Sequence, residues 1–235
     1  MTQLPIPAVP DLARASGETR DELISWFLAY YETSGAPFNY RSGTRAIKIG
    51  YKGLHSLAPL VDSCAREKTA QGRKSNSEIV QLAAPVSFGR GTQVFDLPRR
   101  QFQFGRDLHA GYRIPFFFVE NKTVKLYFLQ PRKGSNLTYD QLCMVATIHK
   151  KYLLDTEFFG QSTDVEYVDV SADPNTKERE LRRYSLESLK LWSDTRLADR
   201  LTLIADALDY VRSSGIVRAR KRIVHRPEGD MPLFD

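Results

Sequence analysis

Residues 113–131, RIPFFFVENKTVKLYFLQP, set two aromatic-rich apolar runs on either side of a short polar stretch. The runs, 114–119 and 124–129, are each long enough for a buried strand. Glu120-Asn121-Lys122-Thr123 between them has the composition of a tight turn, so the segment reads as a β-hairpin. A breaker follows at 131–136. Thr138 and Gln141 then form a capping box, and Leu142, Val145, Ala146, His149, Tyr152 and Leu153 recur at helical spacing. The alternating run 164–170, DVEYVDV, predicts a strand after that helix. A hairpin, then a helix, then another strand implies a mixed α/β (α+β) fold, with a hairpin-centred sheet flanked by helices.

The rest of the chain is read around that centre. Residues 1–17 hold Pro5, Pro7 and Pro10 and are expected to form an extended arm. Thr19 with Glu22 makes a second capping box, and Leu23, Ile24, Phe27, Leu28 and Tyr31 share one face of the helix it starts. Alternation in RAIKIGY predicts a strand over 45–51. A short helix is expected around 54–66, a polar basic loop over 68–77, and strands at 93–97, 101–104 and 180–184. The last helix, capped by Ser193 or Asp194, carries Leu197, Leu201, Ile204, Leu208 and Val211 and is closed by Gly215. The organisation expected is one domain over 1–215 followed by a basic flexible tail, 216–235.

Charge locates the surface most in need of a partner. The 235 residues carry a formal charge of +6, but residues 41–106 hold 12 Lys and Arg against 4 Asp and Glu, whereas 107–215 are nearly balanced. The tail adds Arg218, Arg220, Lys221 and Arg222 in one run. Blocks of like charge suit a polyanion such as a phosphodiester backbone. No apolar run approaches the length of a membrane span, and the N-terminus does not read as a secretory signal. Two Cys, at 64 and 143, are too few for a disulfide framework and lead to a cytoplasmic expectation.

Motifs for specific chemistry are sparse. His55, His109, His149 and His225 form no ligand-spaced pair, and Cys64 and Cys143 are far apart, so no metal site is expected. His149, on an apolar helix face, reads as a hydrogen-bonded interfacial histidine. Gly89-Arg90-Gly91 contains G-x-G, but a strand rather than a helix follows it, so a tight turn is the better reading. Arg99, Arg100 and Arg106 interleave with Phe102 and Phe104, either as a surface that stacks on bases or as an amphipathic strand with the rings inward. Arg132 and Lys133 precede the helix that starts near 138, where backbone amides favour phosphate. Leu233-Phe234 near the C-terminus looks like a short peptide that docks on a protein partner.

The sequence Ile114-Pro115-Phe116-Phe117, the run Tyr127-Phe128-Leu129-Gln130-Pro131-Arg132-Lys133, the capped helix and the strand after it resemble the core of the PD-(D/E)xK, or restriction-endonuclease-like, nuclease superfamily over about residues 110–170. In that family a Pro-Asp opens one strand, and its neighbour ends in an acid-x-Lys. Here Phe116 stands in the place of the Asp, Gln130 in that of the second acid, and Arg132 or Lys133 in that of the Lys. The resemblance implies DNA processing or defence. If the chain is an enzyme, it implies a magnesium-dependent endonuclease acting through Glu120, Gln130 and Arg132; otherwise no cofactor is expected. A missing acid would come from Glu120, Asp107 or Glu22, and a second register places Asp107 before Glu120-Asn121-Lys122.

Three functions remain open at this point. The first is a nucleic-acid-binding protein, expected to act on DNA, using Arg99, Arg100, Arg106, Arg132, Lys133 and the tail arginines. The second is an active metal-dependent nuclease on the same fold. The third is an accessory protein of a larger assembly, which the sequence leaves without an oligomeric state.

Overall fold

The computed structural model describes residues 4–32, 39–54, 56–134, 136–173, 175–176 and 178–217. It is a mixed α+β fold around a five-stranded sheet. Helices α1 (Val9–Arg14), α2 (Arg20–Glu32), α3 (Arg41–Tyr51), α4 (Leu57–Asp62) and α5 (Ala70–Ala83) come first. Strands β1 (Gln93–Asp96), β2 (Gln101–Gly105), β3 (Leu108–Gly111), β4 (Phe116–Glu120) and β5 (Thr123–Gln130) follow. Helix α6 (Tyr139–His149) passes through a π turn, Lys150–Leu154, into the short α7 (Asp155–Glu157). Then come β6 (Thr163–Asp169), β7 (Arg182–Tyr184) and α8 (Asp194–Ser214).

The sheet order is β1-β4-β5-β6-β7, with β2 and β3 as a separate pair. Strands β4 and β5 form the expected hairpin in register Phe116↔Tyr127 to Glu120↔Thr123. Asn121 and Lys122 both take left-handed φ values, 50° and 64°, as a two-residue type I′ turn requires. Helix α6 starts at the expected capping box and carries the chain to β6, which runs parallel to β5. Such a parallel return needs a crossover of about this size.

Period-2 alternation divides the apolar residues between two faces. On one, Leu126, Phe128, Val165 and Tyr167 meet α2, α6 and α8 through Leu23, Phe27, Val145, Leu201 and Leu208. On the other, Phe116, Phe118, Tyr127 and Val168 meet α3, α4 and α5 through Ile47, Tyr51, Leu60 and Ile79. Phe102 is buried, so of the two readings of 99–106 the inward-facing strand is the one the chain adopts.

Three local expectations are overturned. Residues 45–51 are helical, because Ala46, Ile47, Gly50 and Tyr51 form a buried face at helical spacing, while Ile49, which alternation would bury, is exposed. The polar stretch 68–77 is largely helix: Thr69 caps α5 by accepting from the Gly72 amide, and Gly72, Ser75 and Asn76 face inward. Asn76 locks α5 to α3, its Oδ1 accepting from the Gly43 amide at 2.8 Å. A Cβ on Gly43 would sit 2.7 Å from Ile79 Cδ1, so only glycine permits this approach. Finally, the arm expected to be extended contains α1, with Pro10 in its first turn and Val9 and Leu12 fully buried. The expected tail run lies almost wholly outside the described residues. No helix among the described residues is long and apolar enough to cross a membrane.

Candidate nucleic-acid interface

Once 41–51 is a helix, its charges acquire a pattern. Arg41, Arg45, Lys48 and Lys52 fall at spacings of 4, 3 and 4, so they line one face of α3 and its C-cap, opposite the buried face. That basic face forms one wall of a cleft of about 1100 Å³. The β1–β2 connection contributes Arg99 and Arg100, α1 contributes Arg14, and the chain flanking β4 and β5 contributes Arg113 and Arg132. Against these nine cations the lining contains one carboxylate, Asp96. Lys48 holds Asp96 in an ion pair and draws its pKa down. Among the described residues, Arg41, Arg45, Lys52 and Arg99 have no ion-pair partner.

The floor of the cleft is organised by a second acid just behind it. Asp11 of α1 is 2% exposed and draws in three guanidinium groups: Arg14 at 2.9 Å, Arg113 at 2.8 Å and Arg132 at 3.7 Å. Tyr30 adds a hydroxyl at 3.5 Å. Arg113 takes a left-handed φ of 60°, uncommon outside glycine, and its ion pair with Asp11 offsets that local cost. Arg14 Nη2 donates to Gln130 Oε1 at 2.8 Å, and burial draws the Arg14 pKa below the usual arginine range. Three cations on one anion leave this cluster about two charges positive. Arg113 and Arg132 keep roughly half their side-chain surface open, 48% and 40%, so an anion in the cleft can reach them.

The candidate residues separate. Gln130, Arg132, Arg99 and Arg100 come together on the cleft. Glu120 does not: it sits at the hairpin tip, seven residues along β5 from Gln130, or roughly 23 Å. There it accepts two hydrogen bonds from Arg90, each 2.7 Å, and an ion pair from Lys125 at 3.1 Å. The Arg90 hydrogen bonds draw its pKa to about 2. Lys133 turns to Glu78 at 3.3 Å instead of lining the cleft, and Arg106 and Asp107 occupy the β2–β3 turn. Glu22 is used in its capping box, accepting from the Thr19 amide. Arg218, Arg220, Lys221, Arg222, Leu233 and Phe234 lie outside the described residues.

Among the described residues, the positions that the resemblance implies as ligands do not come together as a magnesium site. Phe116 is fully buried and stacked on Tyr127 at 4.6 Å, Gln130 accepts from Arg14, and Asp11 is covered by arginines. Among the described residues, no three His, Cys, Asp or Glu side chains group closely enough to share an ion. His149 is wholly buried, bonded through Nδ1 to the Tyr167 hydroxyl at 3.0 Å. Burial draws its pKa to about 3, so it remains a neutral interior histidine.

Comparison with protein-family models, curated proteins and solved structures returned no match. The geometry of the chain is therefore what bears on its function.

Sequence reasoning did not find Asp11, Arg14 and Arg113, and it marked Arg41, Arg45, Lys48 and Lys52 only as part of the basic 41–106 block. The spacing of the α3 cations was visible once that segment was read at a period of 3.6 rather than 2. Nothing local marks Asp11, which reaches the cleft only because α1 folds against α6 and the end of β5.

Proposed function

We propose that this chain binds nucleic acid, laying a phosphodiester backbone along the cleft between α3, α1 and the β1–β2 connection. The observation that carries this is the imbalance of nine cationic side chains to one carboxylate on a single concave surface. Phosphate oxygens accept from guanidinium groups as carboxylate oxygens do, and Arg113 and Arg132 already face a carboxylate, Asp11, at 2.8 and 3.7 Å. The order of β4, β5, α6 and parallel β6 supports a nuclease-like core whose acids have been replaced, with DNA as the expected polymer. Such a core would keep affinity for the backbone without assembling a metal-dependent cleavage site.

The test neutralises the wall and leaves the fold alone. Arg41, Arg45 and Lys52 are exposed and make no ion pair among the described residues, so changing all three to Gln should not alter stability. The triple variant is expected to bind a fluorescein-labelled oligonucleotide about 10- to 100-fold more weakly at ~0.1 M salt. The slope of log affinity against log salt should become shallower by about 3. Equal affinity and slope for the variant and the parent chain would rule the cleft out as the contact surface.

A further inference from the structure

Phe95, on the edge strand β1, is 43% exposed and stacks on Phe117 of β4 at 5.1 Å with an interplanar angle of 18°. Phe117 in turn meets the edge of Phe158 at 5.0 Å, and the next residue, Phe159, is 87% exposed. A phenyl ring left almost entirely in water, one residue beyond the last ring of this ladder, is poorly accounted for by core packing. This ladder is joined to the basic cleft at two points. Asp96 and Leu97, which line the cleft, directly follow Phe95. Arg100, which also lines it, donates to Glu157 at 2.7 Å and so ties the cleft rim to the turn carrying Phe158 and Phe159. The acids beside the rings are paired, Glu157 with Arg100 and Asp155 with Lys150, so they place no free negative charge between cleft and ladder.

We propose that the Phe95–Phe117–Phe158–Phe159 surface is a stacking platform for unpaired bases, so that the polymer held by the cleft is single-stranded. The proposal rests on the cleft reading above. Cationic grooves that follow a backbone, flanked by exposed rings that receive base faces, are the physical arrangement for holding a single strand. A duplex would not use the rings, because its bases are already stacked on one another. Phe102 and Phe104, the rings that the charge pattern suggests, pack toward the core and are not part of this ladder.

The experiment compares a labelled 15-nucleotide single strand, as DNA and as RNA, with the corresponding 15-base-pair duplex, using the full chain. At least one single strand is expected to bind more tightly than the duplex. Phe159→Ala, which removes almost no buried area, is expected to weaken single-strand binding about 5- to 100-fold and leave duplex binding unchanged. Phe159→Trp is expected to keep affinity and to show indole quenching beyond that of the parent chain when the single strand is added. Unchanged single-strand affinity of Phe159→Ala, together with a lack of extra quenching in Phe159→Trp, would overturn the stacking role. If the Arg41, Arg45 and Lys52 triple variant is weakened in that same experiment, the cleft reading survives that failure. If neither variant differs from the parent chain, both readings fail. Light scattering that shows Phe159→Ala splitting a dimer without changing affinity would also overturn it, assigning the rings to self-association.

Discussion

Replacing Arg90 with alanine is expected to lower the unfolding free energy by about 3 kcal/mol, the usual scale for removing one partner from a desolvated charge cluster. Arg90 lies between three elements. Its Nε and Nη2 reach the two oxygens of Glu120 on β4, its Nη1 reaches both oxygens of Glu166 on β6 at 3.0 and 2.9 Å, and its guanidinium packs over the rings of Tyr51 and Phe118. Glu166 is only 6% exposed, so without Arg90 the cation left beside it is Arg183, at 2.8 Å, with the Tyr51 hydroxyl as a neutral partner. Arg90→Lys keeps the charge but cannot serve both carboxylates with a fork, and about half of the loss is expected to remain.

The pH dependence of that loss has a definite sign. The Glu120 pKa is drawn down from 4.5 to about 2, chiefly by its hydrogen bonds from Arg90. A group depressed by folding stabilises the native state above its unfolded pKa, and that contribution fades as pH falls toward its folded value. The stability gap between the parent chain and Arg90→Ala should therefore be full at pH 7 and narrow between about pH 4.5 and pH 2. Urea unfolding at pH 7 and pH 3 measures it, and a gap that widens at pH 3 would contradict the assignment.

Asp11→Asn should separate stability from binding. An amide at this position removes the anion that neutralises Arg14, Arg113 and Arg132, and its NH2 group meets donors with a donor. The expected cost is about 2–4 kcal/mol, since a partly buried guanidinium is left without its carboxylate. The folded fraction should nevertheless bind nucleic acid about three- to tenfold more tightly at low salt, because the cleft floor gains one unit of positive potential. Urea unfolding and an anisotropy titration on the same preparation give both values. Weaker binding by the folded variant would mean that Asp11 supports contact geometry more than it limits charge.

The parts of the fold legible in the sequence are those whose chemistry is local. The Asn121-Lys122 turn, the Thr138 and Gln141 box and the Ser193 and Gly215 ends of α8 are each specified by a few adjacent residues, and each forms as read. Helices α3 and α5 were missed because their helical character depends on one another. Gly43 and Asn76 look like loop residues until the two backbones meet and the Asn side chain takes up the Gly amide. The same dependence hid the cleft. Arg99, Arg100 and Arg132 were legible as cations near strand ends, but the wall opposite them is a helix first read as a strand. Pairing Glu120 with Gln130 failed for a simpler reason: hairpin residues close in sequence can lie at opposite ends of a strand.

Binding through this cleft requires that its cations meet a polyanion. The most direct measurement is the affinity of the full chain for a labelled oligonucleotide in monovalent salt from 50 to 300 mM. Simultaneous contact by several of the nine cleft cations should give a linear fall of log affinity with log salt, with a slope of about −3 or steeper. No binding at 50 mM, or an affinity that does not change across the range, would contradict it.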